Sequence, residues 1–241
     1  MPSEPPPWIL RLLREGSWFR ALPAELQDAL VRRATVRSYR RGQVVTRAGT
    51  RAEGLFGLLE GRLEVIRPVG TAGEDLIHVG EPGFWIGEYS LLTGDAAVVG
   101  TVAATAARVL VLRRSEFERL VDEEPRWFRP FAMLALTRYA LMVRQLSDTR
   151  TLPPDGRLRL RLADLVTLRR AERDSPGPVV LRLSQEQLAR IVGVSRQTLN
   201  PLLAELRAEG LVETGFRSVR IADDERLCAW SSPILAPRRV S

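Results

Sequence analysis

The chain has 241 residues, of which 45% are hydrophobic and 27% charged, and its formal net charge is +7. This length fits one large domain or two ordinary ones, and the apolar content suffices for a packed core. A single cysteine, Cys228, excludes a disulfide framework, a four-cysteine iron–sulfur cluster and a multi-cysteine zinc site. A single histidine, His78, excludes the common multi-histidine sites. We therefore expect no metal and no metalloenzyme or cysteine-based redox enzyme.

The positive charge comes entirely from arginine, since all 36 basic residues are arginines. An excess of this sign favours a polyanion as partner. The N-terminus lacks the basic and apolar regions of a secretion signal. The longest apolar stretch, residues 131–143, is too short to span a bilayer and contains Arg138. We expect a cytoplasmic protein without membrane contact.

The first third of the chain predicts helices followed by short strands. Residues 8–32 carry apolar side chains at helical spacing, with Pro23 opening a second amphipathic segment. After Thr35, strand-like runs alternate with glycine turns, at residues 44–46, 54–59, 63–66, 75–79, 98–102 and 109–112. Many short strands in so short a stretch predict a compact antiparallel barrel or roll.

A long helix is predicted after Pro125, with two apolar rows. One row has the 4-3-4-3-4 spacing of a heptad seam, at Phe128, Ala132, Ala135, Tyr139, Met142 and Leu146. The second row is Phe131, Leu134 and Leu141. We interpret one row as packing on the roll and the heptad seam as meeting an identical helix in a homodimer. The alternative is that both rows are buried within one monomer.

Residues 151–156 contain two prolines and a glycine and interrupt this helix. They mark the predicted domain boundary. We expect a sensor domain at residues 1–122, a dimerisation helix at 123–150 and a third domain at 151–241. The expected fold class is α+β.

The third domain contains a predicted helix-turn-helix. Ser184 is suited to cap a helix, with Gln187 at the position that completes a capping box. Gly193 permits a sharp turn, and Ser195 is suited to cap a second helix. Runs at 211–214 and 218–221 predict a hairpin, and hence a winged variant. A helical hairpin used only for packing is the alternative.

The second helix of the pair carries the side chains expected to read DNA. Arg196 suits the O6 and N7 atoms of guanine, and Gln197 and Asn200 suit adenine in the major groove. Ser195 and Thr198 suit phosphate oxygens near the helix N-terminus. Ser184, at the start of the first helix, completes the predicted DNA-binding set. Pro201 removes one helical hydrogen bond and predicts a kink.

These features, in this order, resemble the Crp–Fnr family, the cyclic-AMP receptor type of bacterial transcription regulator. The run at 55–65 resembles the strand–glycine–strand hairpin of the family, and the run at 87–92 resembles its nucleotide-binding cassette. The resemblance implies a β-roll of the cyclic-nucleotide-binding jelly-roll type and a homodimer. It also implies double-stranded DNA with a palindromic operator as partner, and RNA polymerase as a further partner.

The sequence departs from the family where the nucleotide is held. The family uses Gly-Glu to open the cassette, followed by an arginine for the cyclic phosphate and a serine or threonine. Gly87 and Glu88 match, but the later two positions fall on Ala97 and Val98. On the long helix, Met142 lies where cyclic-AMP binders place a polar residue. A buried phosphate without a cation is costly, so we expect no gating by cyclic AMP through this pocket.

Two alternatives for the effector stay open. The predicted pocket of Gly87, Glu88, Ala97, Val98 and Met142 either takes another small ligand or takes none. Some relatives bind haem, but a lone histidine such as His78 on a strand is more often structural, so we expect no cofactor. The expected function is a dimeric, sequence-specific DNA-binding regulator. The alternative is a ligand-sensing module whose helix-turn-helix contacts protein.

Overall fold

The computed structural model describes residues 7–70, 73–172 and 177–229. The chain divides into two compact units, and the division falls inside one long helix, between Thr137 and Arg138. We call the described residues up to Thr137 the N-terminal unit. Residues 138–170, with those described after residue 176, form the C-terminal unit.

Three helices open the N-terminal unit: α1 (Pro7–Leu13), α2 (Ser17–Arg20) and α3 (Ala24–Arg33). The predicted helical region is confirmed, but it is divided into three segments. Gly16 and Pro23 separate them, because each occupies an extended backbone conformation immediately before the next helix.

Eight strands then form two four-stranded antiparallel sheets. The strands are β1 (Thr35–Tyr39), β2 (Val44–Thr46), β3 (Gly54–Glu60), β4 (Leu63–Pro68), β5 (Glu74–Gly80), β6 (Trp85–Ile86), β7 (Gly100–Ala103) and β8 (Ala107–Arg113). Their order is β1-β8-β3-β6 in one sheet and β2-β7-β4-β5 in the other. The predicted roll and the α+β fold class are confirmed.

Strand β3 lies between two hydrophobic clusters, because successive side chains point to opposite faces. Phe56 and Leu58 pack with residues of the second sheet, including Val65. Leu55 and Leu59 face the other way, into a cluster supplied by the N-terminal helices. Six of the seven residues of β3 are buried, which explains why this run is almost purely apolar.

Helices α4 (Glu88–Thr93) and α5 (Arg114–Glu123), and a short 3₁₀ turn at Pro125–Trp127, lead to α6 (Phe128–Thr151). Phe131 is fully buried in the N-terminal unit, with its ring 4.9 Å from that of Phe117 and 5.7 Å from that of Trp18. The indole nitrogen of Trp18 also donates a 2.9 Å hydrogen bond to the carbonyl oxygen of Pro130. Leu134 is also buried in this cluster, so two of the three residues of the second apolar row pack within the N-terminal unit as predicted, whereas the third, Leu141, is only half-buried.

The C-terminal unit contains α7 (Pro154–Glu172), β9 (Val180–Leu181), α8 (Gln185–Val192), α9 (Arg196–Ala208), β10 (Val212–Gly215), β11 (Ser218–Ile221) and α10 (Asp224–Cys228). The predicted hairpin is present, and β9 adds a third strand to give the order β10-β11-β9. One face of α7 is buried, at Leu158, Leu162, Leu165 and Val166. No described helix is both long enough and apolar enough to cross a membrane.

Candidate nucleic-acid interface

Helix α8 begins with the capping box expected from its sequence. The Ser184 hydroxyl accepts a 3.1 Å hydrogen bond from the Gln187 amide, and the Ser184 amide donates a 2.9 Å bond to Oε1 of Gln187. Two amides that the helix leaves without a partner are thereby satisfied. Ser184 is half-buried and holds the helix start, so its predicted contact with DNA stays a prediction.

The turn between α8 and α9 depends on Gly193. This residue has a φ of 73°, in the left-handed region that glycine adopts without steric cost. The amide of Val194 donates a 3.0 Å bond to the carbonyl of Ala189, and the amide of Gly193 a 3.1 Å bond to that of Arg190. The carbonyls at the end of α8 are therefore satisfied while the chain reverses into α9.

Helix α9 has one buried face and one exposed face. Leu199, Leu203 and Leu206 are each at most 2% exposed. The predicted base-reading residues Arg196, Gln197 and Asn200 are exposed on the first turns. Ser195 and Thr198 lie at the same helix start. The structure thus brings five of the six predicted DNA-binding residues together there.

Ser195 and Thr198 form the cap of α9. The Ser195 hydroxyl accepts a 3.0 Å bond from the Thr198 amide, and the two hydroxyl oxygens lie 2.8 Å apart. Both side chains remain exposed. Each hydroxyl has one proton to donate and two lone pairs, so one of the pair can still bond a phosphate oxygen while the cap is kept.

The charge of Arg196 is unpaired within the part of the chain that the structure describes. Two other arginines of this unit, by contrast, have partners within the protein. Arg207 donates to the Thr214 hydroxyl at 3.1 Å, and Arg220 pairs with Glu213 at 2.9 Å. The start of α9 therefore offers a guanidinium that none of the described carboxylates neutralises, as recognition of guanine requires.

Pro201 lies inside α9, and the helix continues through it to Ala208. Proline has no amide hydrogen, so the carbonyl of Gln197, four residues earlier, loses its helical donor. The helix is nevertheless held on both sides of this position by buried Leu199 and Leu203.

The wing was predicted as a hairpin, but its most exposed residues were not singled out. The loop between β10 and β11 is Phe216–Arg217, since Gly215 pairs with Ser218. Phe216 is 94% exposed, and Arg217 has a φ of 51°, alone among the described non-glycine residues in having a positive φ. The signal available in the sequence was a phenylalanine in a two-residue turn where polar residues or glycine are usual.

A buried ion pair connects α6 to α7 within the C-terminal unit. Asp164 is only 2% exposed, pairs with Arg144 and accepts a 3.4 Å bond from Gln145. Burial lowers the pKa of Arg144, and burial raises the pKa of Asp148 although Arg144 and Arg161 oppose that rise. Removing one partner of such a pair leaves an uncompensated buried charge, which is strongly destabilising.

The predicted effector pocket is only partly supplied with polar groups. Gly87 has a φ of 106°, and a Cβ there would lie 2.4 Å from the carbonyl oxygen of Gly54, so packing alone requires glycine. Glu88 is buried, whereas Val98 is 56% exposed. The amide of Ala97 donates to the carbonyl of Thr50 at 2.8 Å. Met142 is 62% exposed and belongs to the C-terminal unit.

The heptad seam predicted on α6 is largely exposed. Tyr139, Met142 and Leu146 are more than 60% exposed and Phe128 is 44% exposed, while Ala132 and Ala135 are half-buried. Three further apolar residues of this helix, which were not predicted as part of the seam, are also exposed: Met133, Leu136 and Val143. The exposed face is therefore broader than the predicted seam.

The lone histidine and the lone cysteine both have structural surroundings. The ring of His78, on β5, lies 5.1 Å from the ring of Phe84. Cys228 ends α10 and is half-buried, and burial raises the pKa of its thiol. A raised thiol pKa lowers the fraction of reactive thiolate.

Comparison with known proteins settles the family. A cyclic nucleotide-binding domain family matches residues 36–124, and a Crp-like helix-turn-helix domain family matches residues 157–230. The chain belongs to the Crp–Fnr family. It is 23% identical to a CRP-like cAMP-activated global transcriptional regulator of Mycobacterium tuberculosis, covering 90% of this chain and 96% of the relative.

A second relative and a solved structure are similar over most of the chain. The chain is 27% identical to the HTH-type transcriptional regulator Cmr of Mycobacterium tuberculosis, over 92% of this chain and 86% of that protein. Among solved structures, FixK2 from Bradyrhizobium japonicum matches with a TM-score of 0.70 at 16% identity, covering 83% of this chain and 98% of FixK2. This likeness confirms the fold. The protein is a Crp–Fnr transcription regulator with a helix-turn-helix DNA-binding domain.

Proposed function

We propose that this Crp–Fnr regulator binds a specific DNA sequence as a homodimer and does so without cyclic AMP or cyclic GMP. The main observation in support of DNA binding is that the start of α9 is exposed. There Arg196, Gln197 and Asn200 face outward from a capped helix whose opposite face is buried. These are the side chains that form paired hydrogen bonds with base edges in the major groove.

We assign one role to each of the three parts of the chain that the sequence predicts. Residues 1–122 form the sensor, 123–150 the dimerisation helix and 151–241 the DNA-binding domain. The exposed apolar face of α6 supports a homodimer, because Tyr139, Met142 and Leu146 would otherwise remain in water. A dimer presents two α9 helices to successive major grooves, which suits a palindromic operator. We place this regulator in the cytoplasm, where its DNA is.

The cassette supports independence from cyclic nucleotides. No arginine lies between Gly87 and Ala107, so the cassette itself supplies no cation for a cyclic phosphate. The Ala97 amide is already bonded to Thr50, which removes one backbone donor. Glu88 is then a structural carboxylate, and the effector is either another small molecule or absent.

The decisive experiment is fluorescence anisotropy of the ligand-free protein on DNA from its own upstream region, at defined salt. Arg196→Ala is expected to weaken specific binding by about 1–3 kcal/mol, because a paired contact with guanine is lost. Arg41→Ala, which removes the same charge from an exposed site in the N-terminal unit, is the matched control and is expected to change little.

Three results are informative about the proposal. Specific nanomolar binding without additive, lost in Arg196→Ala, supports an apo-active regulator. Equal affinity of wild type and Arg196→Ala for specific DNA contradicts the proposed role of α9, and points to a helix-turn-helix that contacts protein. Weak, salt-sensitive binding that no sequence improves contradicts ligand-free activity.

A further inference from the structure

The wing tip contains the most exposed large apolar side chain of the described residues, next to an exposed arginine. Phe216 is 94% exposed, and Arg217, beside it, makes no hydrogen bond or ion pair with the described residues. An aromatic side chain left in water gains free energy from any apolar surface that covers it. Nothing in the hairpin itself requires a phenylalanine there, since the loop side chain packs on no other residue.

Strand register shows where the tip lies within the C-terminal unit. Val219 pairs with Leu181, so Gly215 and Ser218 lie at the end of the sheet toward which β9 runs. At that same end the chain continues through exposed Arg182 to Ser184, which caps α8. The wing tip therefore shares one end of the sheet with the start of the helix-turn-helix.

This end of the sheet combines positive charge with an exposed ring. Arg182 and Arg217 are both exposed here. Helix-turn-helix proteins place the first helix across the DNA backbone, so a tip next to the start of α8 faces the duplex outside the base pairs read by α9. Phosphates satisfy an arginine, but they offer no apolar surface to a phenylalanine. Sugar and base edges in the minor groove offer both, and narrow A·T-rich grooves attract arginine.

We propose that the wing tip, Phe216 with Arg217, binds the minor groove next to the half-site read by α9 and adds a preference for flanking A·T base pairs. The inference rests on the proposed DNA-binding function and extends it. Phe216 supplies the apolar contact with the groove, and Arg217 supplies the positive charge. Arg217 occupies this position with a φ of 51°, a conformation that is uncommon for a residue other than glycine, and both loop side chains are exposed.

The test compares two duplexes that share the same central site, recovered by selection from random DNA, and differ only in A·T or G·C flanks. Phe216→Ala is expected to weaken binding of the A·T-flanked duplex about five- to tenfold and to change the G·C-flanked duplex little. Phe216→Leu keeps an apolar side chain and is expected to retain most of the flank preference.

Arg217→Asn tests the charge without straining the turn, because asparagine tolerates a positive φ. It is expected to weaken binding and to reduce the salt dependence by about one released counterion per tip. Thermal unfolding midpoints of Phe216→Ala and Arg217→Asn are expected to match the wild type, since both side chains are exposed. If the unfolding midpoint of a variant matches that of the wild type, its loss of DNA affinity comes from the lost contact with DNA and not from unfolding.

The proposal is overturned if Phe216→Ala weakens both duplexes equally, which would indicate a backbone contact only. It is also overturned if DNA affinity is unchanged while transcription with purified RNA polymerase falls, because the tip would then contact protein. If the wild type binds the selected duplex no better than random DNA, the proposed function itself fails. That result is distinct from loss of the flank preference alone.

Discussion

At the scale of single residues, the cassette departs from the family pattern at two positions, and we propose that these two positions remove the affinity for cyclic nucleotides. Gly87 and Glu88 keep the backbone turn and the buried carboxyl of the family pattern. Ala97 and Val98 replace the cation and hydroxyl that the family uses for the cyclic phosphate, and Val98 is exposed. Gly87 is required by packing and Glu88 is buried, whereas Ala97 and Val98 have neither a charge nor a hydroxyl to offer a phosphate.

Isothermal titration calorimetry checks this interpretation. Neither cyclic AMP nor cyclic GMP is expected to bind the ligand-free protein in the micromolar range, because desolvating the phosphate is not compensated by a cation. The cyclic AMP receptor protein of Thermus thermophilus, measured in the same buffer, is a suitable positive control. Micromolar affinity of the present protein for either nucleotide would contradict the prediction.

Residue-scale features were predictable where the physics is local. The caps at Ser184 and Ser195 follow from side chains three residues apart, and the structure confirms both. The exposure of Phe216 was not predictable, because a phenylalanine in a turn is compatible with packing against any distant segment. The pairing of Arg144 with Asp164 likewise depends on two helices meeting, which no local pattern specifies.

At the scale of elements, α6 divides its apolar side chains between two opposite faces. Phe131 and Leu134 are buried in the N-terminal unit, while Leu136, Tyr139 and Leu146 are exposed. A helix that is apolar on its exposed side requires a partner in solution. The heptad spacing supports our proposal that this partner is a second copy of the helix.

Charged substitutions on this face test the dimer. Tyr139→Glu with Leu146→Glu is expected to weaken self-association at least about tenfold, because two like charges would be brought together in an apolar seam. Sedimentation velocity measures the change, and circular dichroism verifies that the helices persist. Thr137→Glu, at an exposed polar position outside the seam, is the control. An unchanged dimer in the double variant would exclude this face as the interface.

Elements differ in how well the sequence predicts them. Long periodic segments such as α6, and strands of five or more residues such as β3 and β8, follow from hydrophobic spacing. Strand β1 was not predicted, and neither were the two-residue strands β6 and β9 or the short helices α4 and α10. Such short elements are held by pairing with distant strands, as β9 is by β11, and their own residues carry too little pattern.

At the scale of the whole molecule, the family and the fold agree with the sequence-based expectation, and the operator remains to be found. Selection of bound DNA from random sequence is expected to return an inverted repeat, with half-site centres about 34 Å apart, because a two-fold dimer places its two α9 helices one helical turn apart. The half-site is expected to differ from the one best known for the family, since Pro201 interrupts the helical hydrogen bonds of the helix that we propose to read it.

The control for this selection is the Arg196→Ala protein, which is expected to return a weaker and less specific motif at one base pair of each half-site. A single, non-repeated site recovered with the wild type would argue against the dimer. Recovery of the familiar family half-site would show that Pro201 and its neighbour do not alter the choice of sequence.

Pro201 has one more consequence for how DNA recognition is dissected. Pro201 leaves the carbonyl oxygen of Gln197 without the amide donor that a regular helix supplies, so this part of α9 contains one extra main-chain acceptor. Such an acceptor can bond an amino group of a base, either directly or through a water molecule. Alanine substitutions elsewhere in α9 remove side chains and do not change this main-chain acceptor. Only replacement of Pro201 supplies an amide that can donate a hydrogen bond to the carbonyl oxygen of Gln197.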